Sequence, residues 1–131
     1  MQPFETMVLP AQPDVTAPDG SRVRVLLSLR GGSMAHFELP PGEVSAAVEH
    51  RSVGEIWYVL SGRGEMWRGQ DGREEITAIG AGMCLTIPLG TRFQFRTFGS
   101  EPLTAVAVTM PPWPGPDEAV RCEGLWPATV G

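Results

Sequence analysis

Glycine and proline interrupt this chain so often that no long helix fits between them. Sixteen glycines and thirteen prolines are spread over 131 residues. The segments between them alternate apolar with polar residues, or are rich in β-branched and aromatic residues, which is typical of short strands. No window keeps a helical apolar period for three turns. The sequence therefore predicts an all-β fold with nine strands, at 22–29, 33–39, 44–51, 55–62, 64–69, 73–80, 83–88, 91–98 and 103–110.

The segments between these strands have the residues that tight turns need. "SGRG" at 61–64, "GQDGRE" at 69–74 and "GAG" at 80–82 place glycine and aspartate where a positive or fixed φ is required. Many short strands joined in this way indicate a sandwich or barrel. We predict a single domain with an N-terminal arm (1–21), a barrel (22–110) and a C-terminal segment (111–131).

The C-terminal segment has too many prolines to continue a sheet. Its tryptophans, Trp113 and Trp126, are costly to leave fully exposed. We predict an extended segment that packs on the barrel or on a partner subunit.

Charge and cysteine content exclude several classes of protein. The net charge is −5, from 10 basic and 15 acidic residues, and no basic cluster could neutralise neighbouring phosphates. We therefore expect neither nucleic acid nor a membrane as partner. The first residues lack the features of a signal peptide, so we expect a cytoplasmic protein. Cys84 and Cys122 lack zinc-site spacing, and Cys84, in the apolar run "MCLTIP", is predicted to be buried.

Alternation along two strands predicts which side chains face the interior. In 55–60 one face carries Glu55, Trp57 and Val59, and the other carries Ile56, Tyr58 and Leu60. Because both faces are largely apolar, we expect a second layer on each side, one of them a second subunit of a homodimer. In 91–98, Phe93 and Phe95 are expected to point inward, with Arg92, Gln94 and Arg96 on the outer face.

Two spaced motifs lie within 42–97. The first places Gly42, Val48, His50, Glu55 and Gly62 on the pattern G-x5-H-x-H-x(3,4)-E-x6-G. The second places Gly82, Pro88, Gly90, Phe93 and Thr97 on G-x5-P-x-G-x2-H-x3-N. In this spacing the chain resembles the cupin family. The resemblance implies a double-stranded β-helix, also called a jelly-roll barrel.

The resemblance also implies where a metal would bind. Metal-binding cupins use two histidines and a glutamate of the first motif and a histidine of the second. Only His50 and Glu55 match here, because Val48 and Phe93 stand at the other two histidine positions. One imidazole and one carboxylate are a poor donor set for a transition metal. We therefore expect no metal cofactor; the only other histidine, His36, is the remaining candidate ligand and is expected to face outward.

Three interpretations of His50 and Glu55 remain open. They could form a structural hydrogen-bonded pair. They could be the polar anchor of a small-molecule pocket walled by Val48, Trp57, Val59, Phe93 and Phe95, which suits the usual character of such sites. By resemblance to metal-free cupin isomerases, they could also be catalytic, with His50 as general acid or base and Glu55 orienting it.

These interpretations lead to one expected function and two alternatives. The expected function is binding of a small organic ligand in an aromatic-lined cavity. The first alternative is an enzyme, either a metal-dependent oxygenase or isomerase with non-standard ligands, or a metal-free sugar isomerase or epimerase. The second is a structural or interaction module that uses the face of Ile56, Tyr58 and Leu60 and the tryptophan-rich C-terminal segment. The sequence identifies neither a ligand nor a reaction.

Overall fold

The computed structural model describes all 131 residues and contains eleven strands and no helix. The strands are β1 (Val15–Thr16), β2 (Arg22–Leu29), β3 (Gly32–Leu39), β4 (Val48–His50), β5 (Gly54–Ser61), β6 (Arg63–Gln70), β7 (Arg73–Gly80), β8 (Cys84–Ile87), β9 (Arg92–Phe98), β10 (Leu103–Met110) and β11 (Ala119–Arg121). The structure therefore has no helix that is long and apolar enough to cross a membrane.

The strands form two antiparallel sheets that face each other. Sheet I has the order β1-β2-β3-β10-β5-β8, and sheet II has the order β11-β4-β9-β6-β7. This arrangement confirms the predicted all-β barrel. Strands β2, β7 and β10 coincide with their predicted bounds, whereas the predicted strand 44–51 is paired over only three residues, 48–50, apart from an isolated bridge at Val44.

The hydrophobic core lies between the two sheets. It is formed by Leu39, Val48, Trp57, Val59, Met66, Ile79, Leu85, Ile87, Phe93, Phe95, Leu103, Ala105 and Ala107. The inward faces predicted for 55–60 and 91–98 are therefore correct. Their alternation explains why each strand contributes every second residue to the core.

Cys84 is exposed, so the prediction that it is buried was wrong. In β8 the side chains alternate, and Leu85 and Ile87 point into the core while Cys84 and Thr86 point outward. The apolar run around Cys84 suggested burial, but the period of the strand decides the outcome.

Gln94 lies on the outer face of sheet II as predicted, but it is only 1% exposed. The C-terminal segment covers it. The Gln94 side-chain NH₂ donates to the carbonyls of Ser45 (2.8 Å) and Trp126 (2.7 Å). Its carbonyl accepts from the N–H groups of Leu125 (2.9 Å) and Trp126 (3.0 Å). One buried amide thus joins the tail to the sheet.

The tail also contributes a short strand, which the sequence analysis did not predict. Residues 119–121 form β11 and pair with β4. Just beyond it, the Cys122 N–H donates to the Ala47 carbonyl at 3.1 Å. The prolines of the tail lie at or before 116 and at 127, so the stretch between them can pair at the edge of sheet II.

Candidate functional site

Polar side chains gather at one end of the barrel, which we call the barrel mouth. In sheet I the antiparallel register aligns Ser33, Thr109, Glu55 and Ile87 in one row. In sheet II, Gln70 pairs with Arg73, and continuing the pairing of Arg92 with Glu49 and Gly69 by one residue places Thr91 level with His50 and Gln70. Gln70 donates a hydrogen bond to the Thr91 hydroxyl at 3.0 Å. Seven of these eight positions are polar, whereas most of the next inward-facing positions, among them Val48, Trp57, Leu85 and Phe93, are apolar.

His50 and Glu55 meet at the centre of the barrel mouth. His50 Nε2 lies 3.2 Å from Glu55 Oε1, and the two residues are 6% and 4% exposed. The second oxygen, Oε2, accepts a hydrogen bond of 3.0 Å from the Trp57 ring N–H. Glu55 and Trp57 share the inner face of β5, so alternation brings them together. The structure thus brings together the two residues that the first motif marked.

The tail covers the outer side of this pair. The Trp113 ring meets the His50 imidazole edge-on, with centroids 5.2 Å apart. The Glu118 carboxylate accepts hydrogen bonds from the Ser52 N–H (2.7 Å), the Ser52 hydroxyl (2.6 Å) and the Val53 N–H (3.0 Å). His50 Nδ1 is buried without a hydrogen-bond partner. A buried polar atom without a partner is costly and calls for an explanation.

Burial dominates the protonation of the pair. It raises the pKa of Glu55 to about 7, although the Trp57 N–H acts in the opposite direction. It lowers the pKa of His50 to about 4, against the attraction of the Glu118 carboxylate. A simple ion pair would shift both values the other way. Between these two pKa values, therefore, Glu55 is protonated and His50 is neutral, so the pair carries no separated charges.

The predicted walls of the ligand cavity lie in the packed core. Val48, Trp57, Val59, Phe93 and Phe95 are each at most 2% exposed. Their rings contact one another, since Trp57 meets Phe95 and Phe93 edge-on at centroid distances of 5.1 and 6.3 Å. Phe93 also meets the His50 ring at 5.2 Å. Of these residues, Trp57 and Phe93 lie directly beneath the His50–Glu55 pair.

Two open clefts lie elsewhere, along the seam between the free edges of β7 and β8. The first, of about 310 Å³, is lined by Arg68, Gln70, Arg73, Glu75, Thr86, Pro88 and Thr91. The second, of about 280 Å³, is lined by Arg68, Thr77, Met83, Cys84, Leu85 and Thr86. The first cleft shares Gln70, Arg73 and Thr91 with the barrel mouth. No motif in the sequence marks these residues, although alternation along β6 puts Arg68 and Gln70 on the inner face with Met66.

His36 does not join the pair. It lies on the outer face of sheet I, opposite Arg24 and Val106, as the sequence predicted. It is nevertheless buried, and burial, followed by the charge of Arg24, lowers its pKa. The Arg24 guanidinium donates to the carbonyls of Pro10 (2.7 Å) and Ala11 (3.0 Å), which holds the N-terminal arm against this face.

The donor set at the barrel mouth does not fit a transition metal. No group of three or more histidine, cysteine, aspartate or glutamate side chains is close enough to share an ion. Both carboxylate oxygens of Glu55 already have partners, since Oε1 contacts His50 and Oε2 accepts from Trp57. His36 is on the wrong face to complete the set.

That the protein carries no metal stays a prediction. We expect elemental analysis of protein purified without chelator to find Fe, Mn, Ni and Zn far below one equivalent per chain, with no gain on dialysis against each metal. Near-stoichiometric metal that is lost in His50→Ala would contradict this expectation.

The comparison with family models now decides the classification. The cupin-domain model matches residues 35–109, more than half of the chain. The chain belongs to the cupin family. Of the other expected motif positions in this cupin, Gly62 has a φ of +80°, and a Cβ there would lie 2.3 Å from the Pro102 carbonyl oxygen. The motif therefore needs glycine at this turn for a steric reason.

Solved structures share the barrel of this cupin. An uncharacterised conserved protein with a double-stranded β-helix domain from Klebsiella pneumoniae is 23% identical, with 79% of this chain and 85% of that chain covered and a TM-score of 0.65. A predicted oxalate decarboxylase from Thermotoga maritima is 24% identical, with coverages of 79% and 98% and a TM-score of 0.63. Vicilin from hazelnut, Corylus avellana, is 20% identical, with coverages of 84% and 34% and a TM-score of 0.68.

At these identities the likeness shows the fold alone. No curated protein matches the sequence significantly. The solved structures include both a predicted enzyme and vicilin, and one barrel supports many unrelated functions. The function of this cupin must therefore be argued from its own site.

Proposed function

We propose that this cupin binds a small organic molecule at the barrel mouth, with His50 and Glu55 as the polar anchor. The observation that carries the proposal is the buried His50–Glu55 contact of 3.2 Å, together with the unpartnered Nδ1 of His50. A buried polar pair with spare hydrogen-bonding capacity is what a mostly apolar binding site uses to orient its ligand.

The surroundings suggest how the ligand would lie. Trp57 and Phe93 would form an aromatic floor beneath its apolar part, while Trp113 of the tail would cover it. Val48, Val59 and Phe95 lie in the same packed core, so a ligand at the mouth would reach them only if the core repacked. The aromatic-lined cavity expected from the sequence thus becomes, in this proposal, a shallow site above two aromatic rings.

A retained or added ligand tests this proposal. We expect native mass spectrometry of the untagged protein, or a thermal-shift screen of small metabolites, to detect an organic ligand. His50→Gln should weaken its binding at least tenfold, because it removes the imidazole at the anchor. Glu49→Gln is the matched control, since Glu49 is the neighbour of His50 on the same strand but points to the other face.

Two results would contradict the proposal. One is that His50→Gln and Glu49→Gln bind the ligand as tightly as the wild type. The other is that neither the purified protein nor the screen yields any ligand.

Proton transfer without a metal is a second candidate, favoured by the pKa of Glu55. A carboxylic acid with a pKa of about 7 can both donate and accept a proton near neutral pH, as a general acid or base must. His50, neutral in this range, could take the proton from Glu55 or pass it to a substrate. Tyr58 does not assist, because it is on the outer face and 48% exposed. This role requires Glu55 to titrate near neutrality in the folded protein.

The homodimer also remains a proposal. Ile56, Tyr58 and Leu60 on the outer face of sheet I are 41%, 48% and 43% exposed, which is unusually open for adjacent large apolar side chains. We expect light scattering at micromolar concentration to give the mass of two chains. Tyr58→Glu should shift it to one chain, because it places a charge inside the apolar contact. A monomeric wild type would end this proposal.

A further inference from the structure

Arg68 occupies an inward position of sheet II. Its partners in the antiparallel register are Phe93 on β9 and Glu75 on β7, and its inner-face neighbour on β6 is Met66. Met66 and Phe93 belong to the hydrophobic core, whereas Glu75 and Thr77 lie on the same face towards the free edge at β7. Arginine is rarely placed on a core-facing position unless a partner or a ligand satisfies it.

The charge of Arg68 is poorly matched within the chain. Its guanidinium donates to two neutral oxygens, the Thr86 carbonyl at 3.0 Å and the Thr77 hydroxyl at 3.2 Å. The nearest carboxylate oxygen, on Glu75, is 3.9 Å away. Glu75 is held more closely by Arg73, at 2.9 Å. Two guanidinium groups therefore share one carboxylate, and the cleft keeps a net positive charge.

The lining of the 310 Å³ cleft matches that charge. Six of its seven lining residues carry polar or charged side chains, and the seventh is Pro88. Gln70 and Thr91 lie on the side towards His50. Since neighbouring strands are about 4.8 Å apart, Gln70 on β6 is about 10 Å from His50 on β4. One molecule of modest size could contact both the cleft and the His50–Glu55 pair.

We propose that this cleft binds the carboxylate of a small hydroxylated organic acid. Arg68 would donate to the carboxylate, whose two oxygens match the planar guanidinium. Gln70 and Thr91 would bind hydroxyl groups on the way to the His50–Glu55 pair. This inference rests on the proposed function, because it names the class of the ligand whose other end is held at the barrel mouth.

Matched pairs of acids and alcohols test the inference. We would titrate the full-length protein at pH 7 and low salt with D-gluconate and D-sorbitol, and with D-glycerate and glycerol, by isothermal titration calorimetry. We expect at least one acid to bind at least tenfold more tightly than its alcohol. Arg68→Gln should remove that difference. Glu75→Gln should tighten binding of the acid severalfold, because it removes the carboxylate that competes for Arg68.

Arg63→Gln provides the control for charge. Arg63 is on the same strand at the opposite end, so this variant loses the same charge without touching the cleft. We expect its affinity to stay within twofold of the wild type. Because Arg68 bridges β8 and β7, circular dichroism must show that Arg68→Gln is folded. Arg68→Lys keeps the charge but loses the planar guanidinium, so it should bind the acid with an affinity between those of the wild type and Arg68→Gln.

The outcomes separate this inference from the proposed function. Equal binding of acids and alcohols, no binding of either acid, or unchanged binding in folded Arg68→Gln would overturn the carboxylate assignment. Displacement of the acid by equimolar sulfate would show a site for inorganic anions and would overturn it as well. If His50→Gln abolishes binding and Arg68→Gln does not, the proposed function survives alone. If only Arg68→Gln abolishes binding, the cleft binds acids independently and the proposed function fails.

Discussion

Replacing either member of the His50–Glu55 pair should change how the free energy of unfolding depends on pH. The change should have opposite signs for the two residues. We expect the free energy of unfolding of Glu55→Gln to rise by about 3 kcal/mol between pH 4 and pH 7, relative to the wild type. In His50→Gln it should fall by about 3 kcal/mol over the same range. The wild type should change little from this source, because the two contributions cancel.

The signs follow from which state binds more protons. In His50 the pKa is lowered from 6.5 to about 4 on folding, so the unfolded chain binds more protons between these values and stability rises with pH. In Glu55 the pKa is raised from 4.5 to about 7, so the folded chain binds more protons and stability falls with pH. The windows nearly coincide, which is why the intact pair hides both effects.

Urea unfolding at half-unit pH steps from 4 to 7.5 measures this directly. Other groups with shifted pKa values, such as buried Asp19, contribute to all three proteins and are removed by subtracting the wild-type curve. Parallel curves for the three proteins would show that burial does not shift the pair, and would also remove the basis for proton transfer by Glu55. A steep wild-type slope that Glu55→Gln abolishes would show that only the pKa of Glu55 is shifted, and would contradict the expected cancellation by His50.

The fold could be predicted because its determinants are local. Glycines such as Gly62 and Gly82 adopt positive φ at turns, and they bound strands whose alternation sorts side chains between core and surface. The prediction was wrong at Cys84, where apolar composition was given more weight than period. It was too long at 44–51, where Ser45 and Ala46 bond outside a regular ladder, to Phe95 and Asp19.

The candidate site could be predicted only in part. Motif spacing identified His50 and Glu55, which lie on the consecutive strands β4 and β5 and meet across the barrel because these strands belong to opposite sheets. The inward position of Arg68 could also have been predicted, since Arg68 is two residues from Met66 along β6 and therefore shares its face. The remaining contacts join the tail to parts of the barrel that are distant in sequence. They are made by Trp113 and Glu118 of the tail and by the amide of Gln94 in β9. No local pattern encodes such contacts, so they could be found only from the structure.

Removing the Gln94 side chain should release the tail and cost about 3–4 kcal/mol of unfolding free energy. The amide makes four hydrogen bonds, each worth about 1 kcal/mol on net, and all are lost in Gln94→Ala. Its side chain is almost fully buried, so the variant also leaves a cavity unless the tail moves away. Gln70→Ala, which loses one hydrogen bond at an exposed position, should cost less than about 1 kcal/mol.

Limited trypsin digestion under native conditions reports where the chain opens. Arg121 is exposed at the end of β11, and cleavage after it would release residues 122–131. We expect this peptide to appear at least tenfold faster from Gln94→Ala than from Gln70→Ala. Gly124→Ala should act in the same way without removing the amide, because a Cβ at Gly124 would lie 2.6 Å from Gln94 Oε1 and 2.5 Å from the Ala47 Cβ and so would displace the tail. A contrary result would be that Gln94→Ala keeps wild-type stability and that Gln94→Ala and Gly124→Ala resist trypsin like the wild type. The tail would then be held by other contacts, and Gln94 would not be its main attachment.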